Sequence, residues 1–218
     1  MPETLVLWQF AGVALVLAVT PGPDNLFVLL QSAQHGPRAG LAVVLGLCIG
    51  VLGHTCAVAL GLAALVAASA AAFAFLKIAG ALYLLWLAWQ AWRAPVAVAG
   101  AASDQQSGQC AVGRPWYVMT GRGVFMNLSN PKVLMFFLAF LPQFADPAIG
   151  SVASQVMVFG AVFAVVTLAV FGAIACFSGW FARLLRQSIR AQRVLNRTAS
   201  MVFVVLAARL LTLHRSSG

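Results

Sequence analysis

Charge is what this sequence has least of. Of 218 residues, 13 are Lys or Arg and 4 are Asp or Glu, 8% in all, where a soluble domain carries about a quarter. That scarcity excludes an ordinary soluble enzyme and a disordered chain. Cysteine is also sparse: Cys48, Cys56, Cys110 and Cys176 form no Cys-x-x-Cys pair, which excludes a disulfide scaffold and a cysteine-based zinc site. Acidic residues are too few for a cage of oxygen ligands around a hard cation. Nor does the net charge of +9 point to nucleic acid: the basic residues are scattered between apolar runs and form no patch to face phosphates.

What is present in excess is apolar sequence, 62% of the chain or roughly 135 residues. A membrane span needs ~20 such residues, so the composition supplies about six. The runs are Leu5 to Leu30, Gly40 to Ala67, Ala72 to Trp92, Gly123 to Leu141, Val152 to Phe181 and Ala199 to Leu213. Lipid offers the backbone no hydrogen-bond partner, so each run is expected to be helical. The second and third are divided only by a weak turn at Ser69, and the last is short for a full span. No Lys or Arg precedes the first run, and Glu3 stands in place of a basic leader, so this run reads as a retained span and not a cleaved signal peptide. The fold expected is an all-α integral membrane protein, residues 1–218 forming one transmembrane domain. It divides into three-helix halves at 1–93 and 122–218, joined by a polar linker at 94–121.

Lys and Arg gather in cytoplasmic loops. One side collects Arg38, Arg93, Arg114, Arg122, Arg183, Arg186, Arg190, Arg193 and Arg197, and the other only Arg215 beside Glu3 and Asp146. Both termini are therefore expected outside the cytoplasm, with the 183–197 run a solvated cytoplasmic connection. Four charges remain inside the spans: Asp24, Lys77, Lys132 and Arg209. Lys77 and Arg209 lie near span ends, where long side chains reach water. Asp24 and Lys132 lie ~18 Å and ~15 Å deep at 1.5 Å per residue, near the middle of a ~30 Å core, where a charge costs at least ~2.5–3.5 kcal/mol.

The residues around these two explain how such charges are tolerated. Asp24 ends Thr20-Pro21-Gly22-Pro23-Asp24-Asn25, and Lys132 ends Asn127-Leu128-Ser129-Asn130-Pro131-Lys132. Proline lacks an amide hydrogen and clashes with the preceding turn, and glycine permits unwinding. Pro21, Gly22 and Pro23 should thus break the first helix, and Pro131 the fourth. Pro23 and Pro131 are 108 residues apart, and each is followed by a second proline (Pro37, Pro147) and a glycine (Gly40, Gly150) at the next span. Paired interruptions of this kind suggest inverted repeats whose broken helices meet at the midplane. Asp24 has a plainer reading as a cap for the second half-helix, and Lys132 as its counter-charge. Gly46, Gly50, Gly53, His54, Ala57 and Gly61 form one helical stripe, read first as a packing face, with His54 a candidate site residue. Cys48, His54 and Cys56 lack a ligating carboxylate and give no metal site. One Asp and one His do not furnish a nucleophile with a base, so no catalytic residues are assigned.

The assembled motifs resemble the LysE/RhtB family of bacterial amino-acid exporters (lysine exporter, homoserine-threonine resistance type). The resemblance rests on Thr20-Pro-Gly-Pro-Asp-Asn25, the glycine stripe to Gly61-Leu62, Gly80-Ala-Leu-Tyr-Leu84, and Asn127-Leu-Ser-Asn-Pro-Lys132 continuing to Leu141-Pro-Gln-Phe144, over residues 10 to 180. Many relatives are glycine-rich in the last span, where this chain has Ser200 and Ala207. The resemblance implies a multi-pass exporter of the bacterial inner membrane, without cofactor, that moves amino acids outward in exchange for protons. Neutral substrates such as threonine or homoserine are favoured, because no second acid awaits a cationic side chain. For such transport Asp24 is expected to meet the substrate ammonium and, as the one carboxylate in the spans, to carry the proton, with Asn25 a further substrate-binding or coupling candidate. Lys132, Asn127 and Asn130 would meet the carboxylate. Its partners are then the amino acid, protons and the bilayer, with homodimerisation left open. Export of divalent cations is the alternative function, and a membrane-embedded enzyme a lesser one.

Overall fold

A computed structural model describes residues 2–20, 22–68, 70–93, 115–180 and 189–212. Pro21, Ser69, the connection from 94 to 114 with Cys110, Arg183, Arg186 and Arg215 lie outside these residues, as do the side chains of Lys77 and Arg209. The described residues are helical, without strands, in the order α1 (Thr4–Val19), α2 (Pro23–His35), α3 (Pro37–Ala68), α4 (Ala70–Arg93), α5 (Trp116–Leu128) and α6 (Pro131–Met135). A π-helical turn (Phe136–Phe140) and 3₁₀ turns (Leu141–Phe144, Pro147–Ile149) follow, then α7 (Val152–Cys176) and α8 (Ile189–Thr212).

Both expected interruptions are present. The α1/α2 pair bends by 60° and the segment Trp116–Leu128 meets Pro131–Phe144 at 52°. Pro23, Pro37 and Pro131 each open a helix, where the absent amide hydrogen would have had no intrahelical partner. Among the described residues, Pro37–Gly61 and Val152–Cys176 are long and apolar enough to span a membrane singly, and each bent pair passes as one unit. The outward faces are apolar: Trp8, Leu26, Leu60, Phe75 and Trp89 are exposed. The buried set contains Thr20, Asp24, Asn127, Asn130 and Lys132. Apolar exposure on this scale would be an aggregation hazard in water and suits contact with lipid.

Several boundaries differ from expectation. Helix α5 opens at Trp116, directly after the capping position Pro115, so it takes in seven residues expected before the span, including Arg122. Helix α8 opens at Ile189 and carries Arg190, Arg193 and Arg197 as exposed helical residues, where a connecting loop was expected. Arginine is a good helix former, and its charge can face water while the backbone continues the span. Helix α7 stops at Cys176, five residues short of the apolar run. The fourth span ends in π and 3₁₀ turns, because Pro142 cannot donate an amide hydrogen to the regular ladder.

Among the described residues the two glycines with positive φ, Gly36 (φ 85°) and Gly150 (φ 134°), fall in the turns before α3 and α7. Gly40 lies inside α3, where a Cβ would collide with Ser32 Oγ. The stripe on α3 is a packing face only over its first part. A Cβ on Gly46 would strike the Thr120 carbonyl, and one on Gly50 would lie 2.7 Å from Asn127 Cβ, whereas Gly61 faces open space and Ala57 is exposed. Gly123 answers Gly46 from α5, its own Cβ position blocked by the Val43 carbonyl. Thr120 Oγ1 donates across this seam to the Ala42 carbonyl at 3.0 Å.

Helices α4 and α8 pack along each other. Ser200 and Ala207 are buried on α8, as are Ala81 and Ala88 on α4, so small residues other than glycine serve this contact. Beyond the second break, Phe10, Phe136, Phe140, Phe144, Phe159 and Phe163 pack as one aromatic cluster. Its ring centroids lie 4.9 Å apart for Phe10 and Phe159, and 5.4 Å for Phe136 and Phe163.

Candidate functional site

A broken helix leaves carbonyls without partners at one end and amides at the other. At the end of α1 the carbonyls are taken up individually. Thr20 donates both its amide, at 2.9 Å, and its Oγ1, at 2.7 Å, to Val16 O. Asn25 Nδ2 donates to Ala18 O at 2.8 Å. Lys132 Nζ, arriving from the second break, donates to Leu17 O and to Thr20 O, both at 3.2 Å. A cation is well placed there, since the C-terminal end of a helix is its negative pole.

The second break is built in a complementary way. Asn130 caps α6, its Oδ1 accepting the Lys132 amide at 3.0 Å. Lys132 is thereby held in the first turn of α6 with its side chain spanning to α1. Asp24 occupies the second position of α2 and caps nothing: that helix has no side-chain cap. Its carboxyl is buried with Lys132 as its charged neighbour and the Asn127 and Asn130 side chains beside it. Asp24 Oδ1, Asn25 Oδ1, Asn127 Oδ1 and Asn130 Nδ2 have no hydrogen-bond partner. Unsatisfied polar atoms in such numbers are unusual for a buried locus.

The structure therefore brings Asp24, Asn25, Asn127, Asn130 and Lys132 to one place, from segments about a hundred residues apart. His54 borders it: its Nε2 lies 3.4 Å from the Asn127 carbonyl, and its ring sits 5.6 Å from that of Phe137. Gly22 belongs to the locus for a steric reason. A Cβ there would lie 2.9 Å from Lys132 Nζ. Its φ of −163° is open to any residue, so the requirement is space and not backbone freedom. Among the described residues no three of His, Cys, Asp or Glu come together as a metal site.

A cavity of about 220 Å³ adjoins the joints. Gly22, Pro23, Asn130, Pro131 and Lys132 form its inner end, and Tyr83, Trp86, Leu87, Gln90, Asn196 and Phe203 its walls from α4 and α8. Asp24 does not line it. The sequence reading missed the α4 and α8 residues. Two seven-residue steps, Tyr83 to Gln90 and Asn196 to Phe203, could have shown them, because seven residues return to the same helical face.

Comparison with known proteins places these motifs. A family model described as LysE type translocator matches residues 15–214. The chain is 27% identical over 211 residues to a leucine efflux protein of Enterobacter sp. (strain 638), covering 96% of this chain and 97% of that one. It is 31% identical over 207 residues to the homoserine/homoserine lactone efflux protein of Salmonella typhimurium, covering 93% and 95%. An uncharacterized membrane protein of Vibrio cholerae is 32% identical over 134 residues, 62% of each chain. No solved structure matches. With its broken helices and their polar joints accounted for, the chain belongs to the LysE-type translocator family.

Proposed function

We propose that this protein exports neutral amino acids from the cytoplasm across the bacterial inner membrane in exchange for protons. The observation that carries the reading is the meeting of Asp24, Asn127, Asn130 and Lys132 at two helix breaks, beside a cavity sized for a small solute. The efflux relatives, one named for leucine and one for homoserine and its lactone, support the substrate class. The distribution of arginines supports cytoplasmic placement of the α2/α3 and α7/α8 connections, which puts the cavity's Gln90 and Asn196 end on the cytoplasmic side. The paired breaks and the matching glycine turns at Gly36 and Gly150 support two inverted three-helix repeats.

The chemistry follows from the groups present. The ammonium of Lys132 occupies a cation seat formed by the carbonyl end of α1, with the Asp24 carboxyl beside it. An amino acid entering the cavity brings its own ammonium to that seat. Lys132, displaced, turns to the substrate carboxylate together with the Asn130 amide. Asp24, the one acid among the spans, takes up the proton when the seat empties and releases it when an ammonium returns. Export is thereby tied to proton entry.

The test is amino-acid-driven proton movement in vesicles containing the full chain. Leucine or homoserine is expected to drive it in the wild type and not in Asp24→Asn. Normal coupling in Asp24→Asn would remove Asp24 from this role, and no amino-acid movement in the wild type would remove the function.

A further inference from the structure

We infer that the α4/α8 wall of the cavity is the side-chain subsite of the transported solute and that Gln90 and Asn196 make it select uncharged side chains of moderate size. The inference rests on the amino-acid export reading and extends it to residues outside the two sequence motifs.

Size sets the first limit. At about 220 Å³ the cavity is below the ~300–1,000 Å³ of sites for drug-sized ligands, which suits a single small metabolite. Polarity sets the second. Among the described residues, Lys132 is the one charged residue on the cavity surface, at its inner end, and no Asp or Glu lines it. A substrate carboxylate therefore belongs at Lys132 and Asn130, which orients the side chain toward Tyr83, Trp86, Leu87 and Phe203. A lysine or arginine side chain placed there would be desolvated without an acidic partner, a large penalty for a charge. An aliphatic chain meets the apolar surfaces of Trp86, Leu87 and Phe203.

The outer end is different in kind. Gln90 is exposed and Asn196 half-buried, and both line the cavity. Each amide offers donors and an acceptor, so a side-chain hydroxyl or a lactone oxygen finds a partner. Because these amides remain open to water, an aliphatic side chain leaves no buried polar group unpaired. One cavity can thus accept both a leucine-like and a homoserine-like side chain while refusing cations.

The experiment is counterflow of radiolabelled leucine, homoserine and lysine in proteoliposomes of the full-length protein, with Gln90→Glu and Asn196→Asp as variants. The wild type is expected to favour leucine and homoserine over lysine by about tenfold or more, and each variant to raise the lysine-to-leucine ratio by about tenfold, the scale of one charged hydrogen bond. In parallel, a Gln90→Cys protein is labelled with a maleimide against the parent background, and leucine is expected to slow the labelling. Equal lysine and leucine movement in the wild type overturns the subsite. So does an unchanged ratio in variants that still move leucine, or labelling of Gln90→Cys that saturating leucine does not slow. If the variants move nothing, the labelling decides. A wild type that moves no amino acid refutes the export reading itself, which separates that failure from failure of the subsite alone.

Discussion

The ammonium of Lys132 lies 3.2 Å from the carbonyl oxygen of Leu17, 115 residues earlier in the chain. This contact ties the first turn of one interrupted helix to the last turn of the other. It makes the two breaks one structure: the proline and glycine after α1 end that helix, and a cation from α6 satisfies the carbonyls it leaves free. Three predictions follow from this joint and from the seam that holds α5 against α3.

Replacing Lys132 by methionine leaves an unbranched side chain one atom shorter and removes the charge. The carbonyls of Leu17 and Thr20 lose their donor, and the Asp24 carboxyl loses its counter-charge. Leaving a buried acceptor without its donor costs about 1–3 kcal/mol. Lys132→Met is expected to lower the unfolding temperature in detergent and to abolish export, while the double change Lys132→Met with Asp24→Asn recovers much of the stability and none of the transport. Thermal unfolding and export measured on the same preparations check both halves. A single variant as stable as the wild type would contradict the joint.

Gly22→Ala tests the same contact by volume alone. The added methyl would come 2.9 Å from Lys132 Nζ, and the extended backbone accepts alanine without strain. The expected result is a folded protein whose export falls by about tenfold, the equivalent of ~1.4 kcal/mol lost at the seat. Gly12→Ala, at a position with nothing within 4 Å, should leave export unchanged. The comparison is made by growth in the presence of a toxic leucine analogue.

The α3/α5 seam predicts a stability effect distinct from the site. Gly46→Leu forces a side chain against the Thr120 carbonyl and the Gly123 backbone. Overpacking of this kind costs about 1–3 kcal/mol, more here because backbone and not a flexible side chain must give. Gly172→Leu, on α7 with open space around it, is the matched control and should unfold at the wild-type temperature. Equal unfolding temperatures for the two variants would refute the close approach.

Much of this molecule is legible in the sequence because lipid imposes strong local rules. A backbone in hydrocarbon must satisfy itself, so apolar runs become helices, and prolines placed mid-run interrupt them. Charges are costly at that depth, so Asp24 and Lys132 stand out as soon as the others are assigned to loops and ends. Those two arguments need only neighbours along the chain, and they located the breaks, Asn127 and Asn130 included.

What the sequence could not determine depends on residues distant in the chain. Whether Gly46 or Gly61 packs tightly is decided by where α5 crosses α3, and only Gly46 and Gly50 of the stripe meet it closely. Gly36, not Gly40, takes the turn before α3 because the left-handed backbone falls where two helices change direction. Lys132 finds its partners at the end of α1, while Asp24 is off the cavity wall. Tyr83, Trp86, Gln90 and Asn196 become wall residues only because α4 and α8 pack beside the joints. The sequence by itself determined the helices, their interruptions and the two buried charges, since each follows from the local cost of polarity in lipid. Which groups face one another, and which face the cavity, was decided by tertiary packing, because van der Waals contact between helices is a property of no single segment.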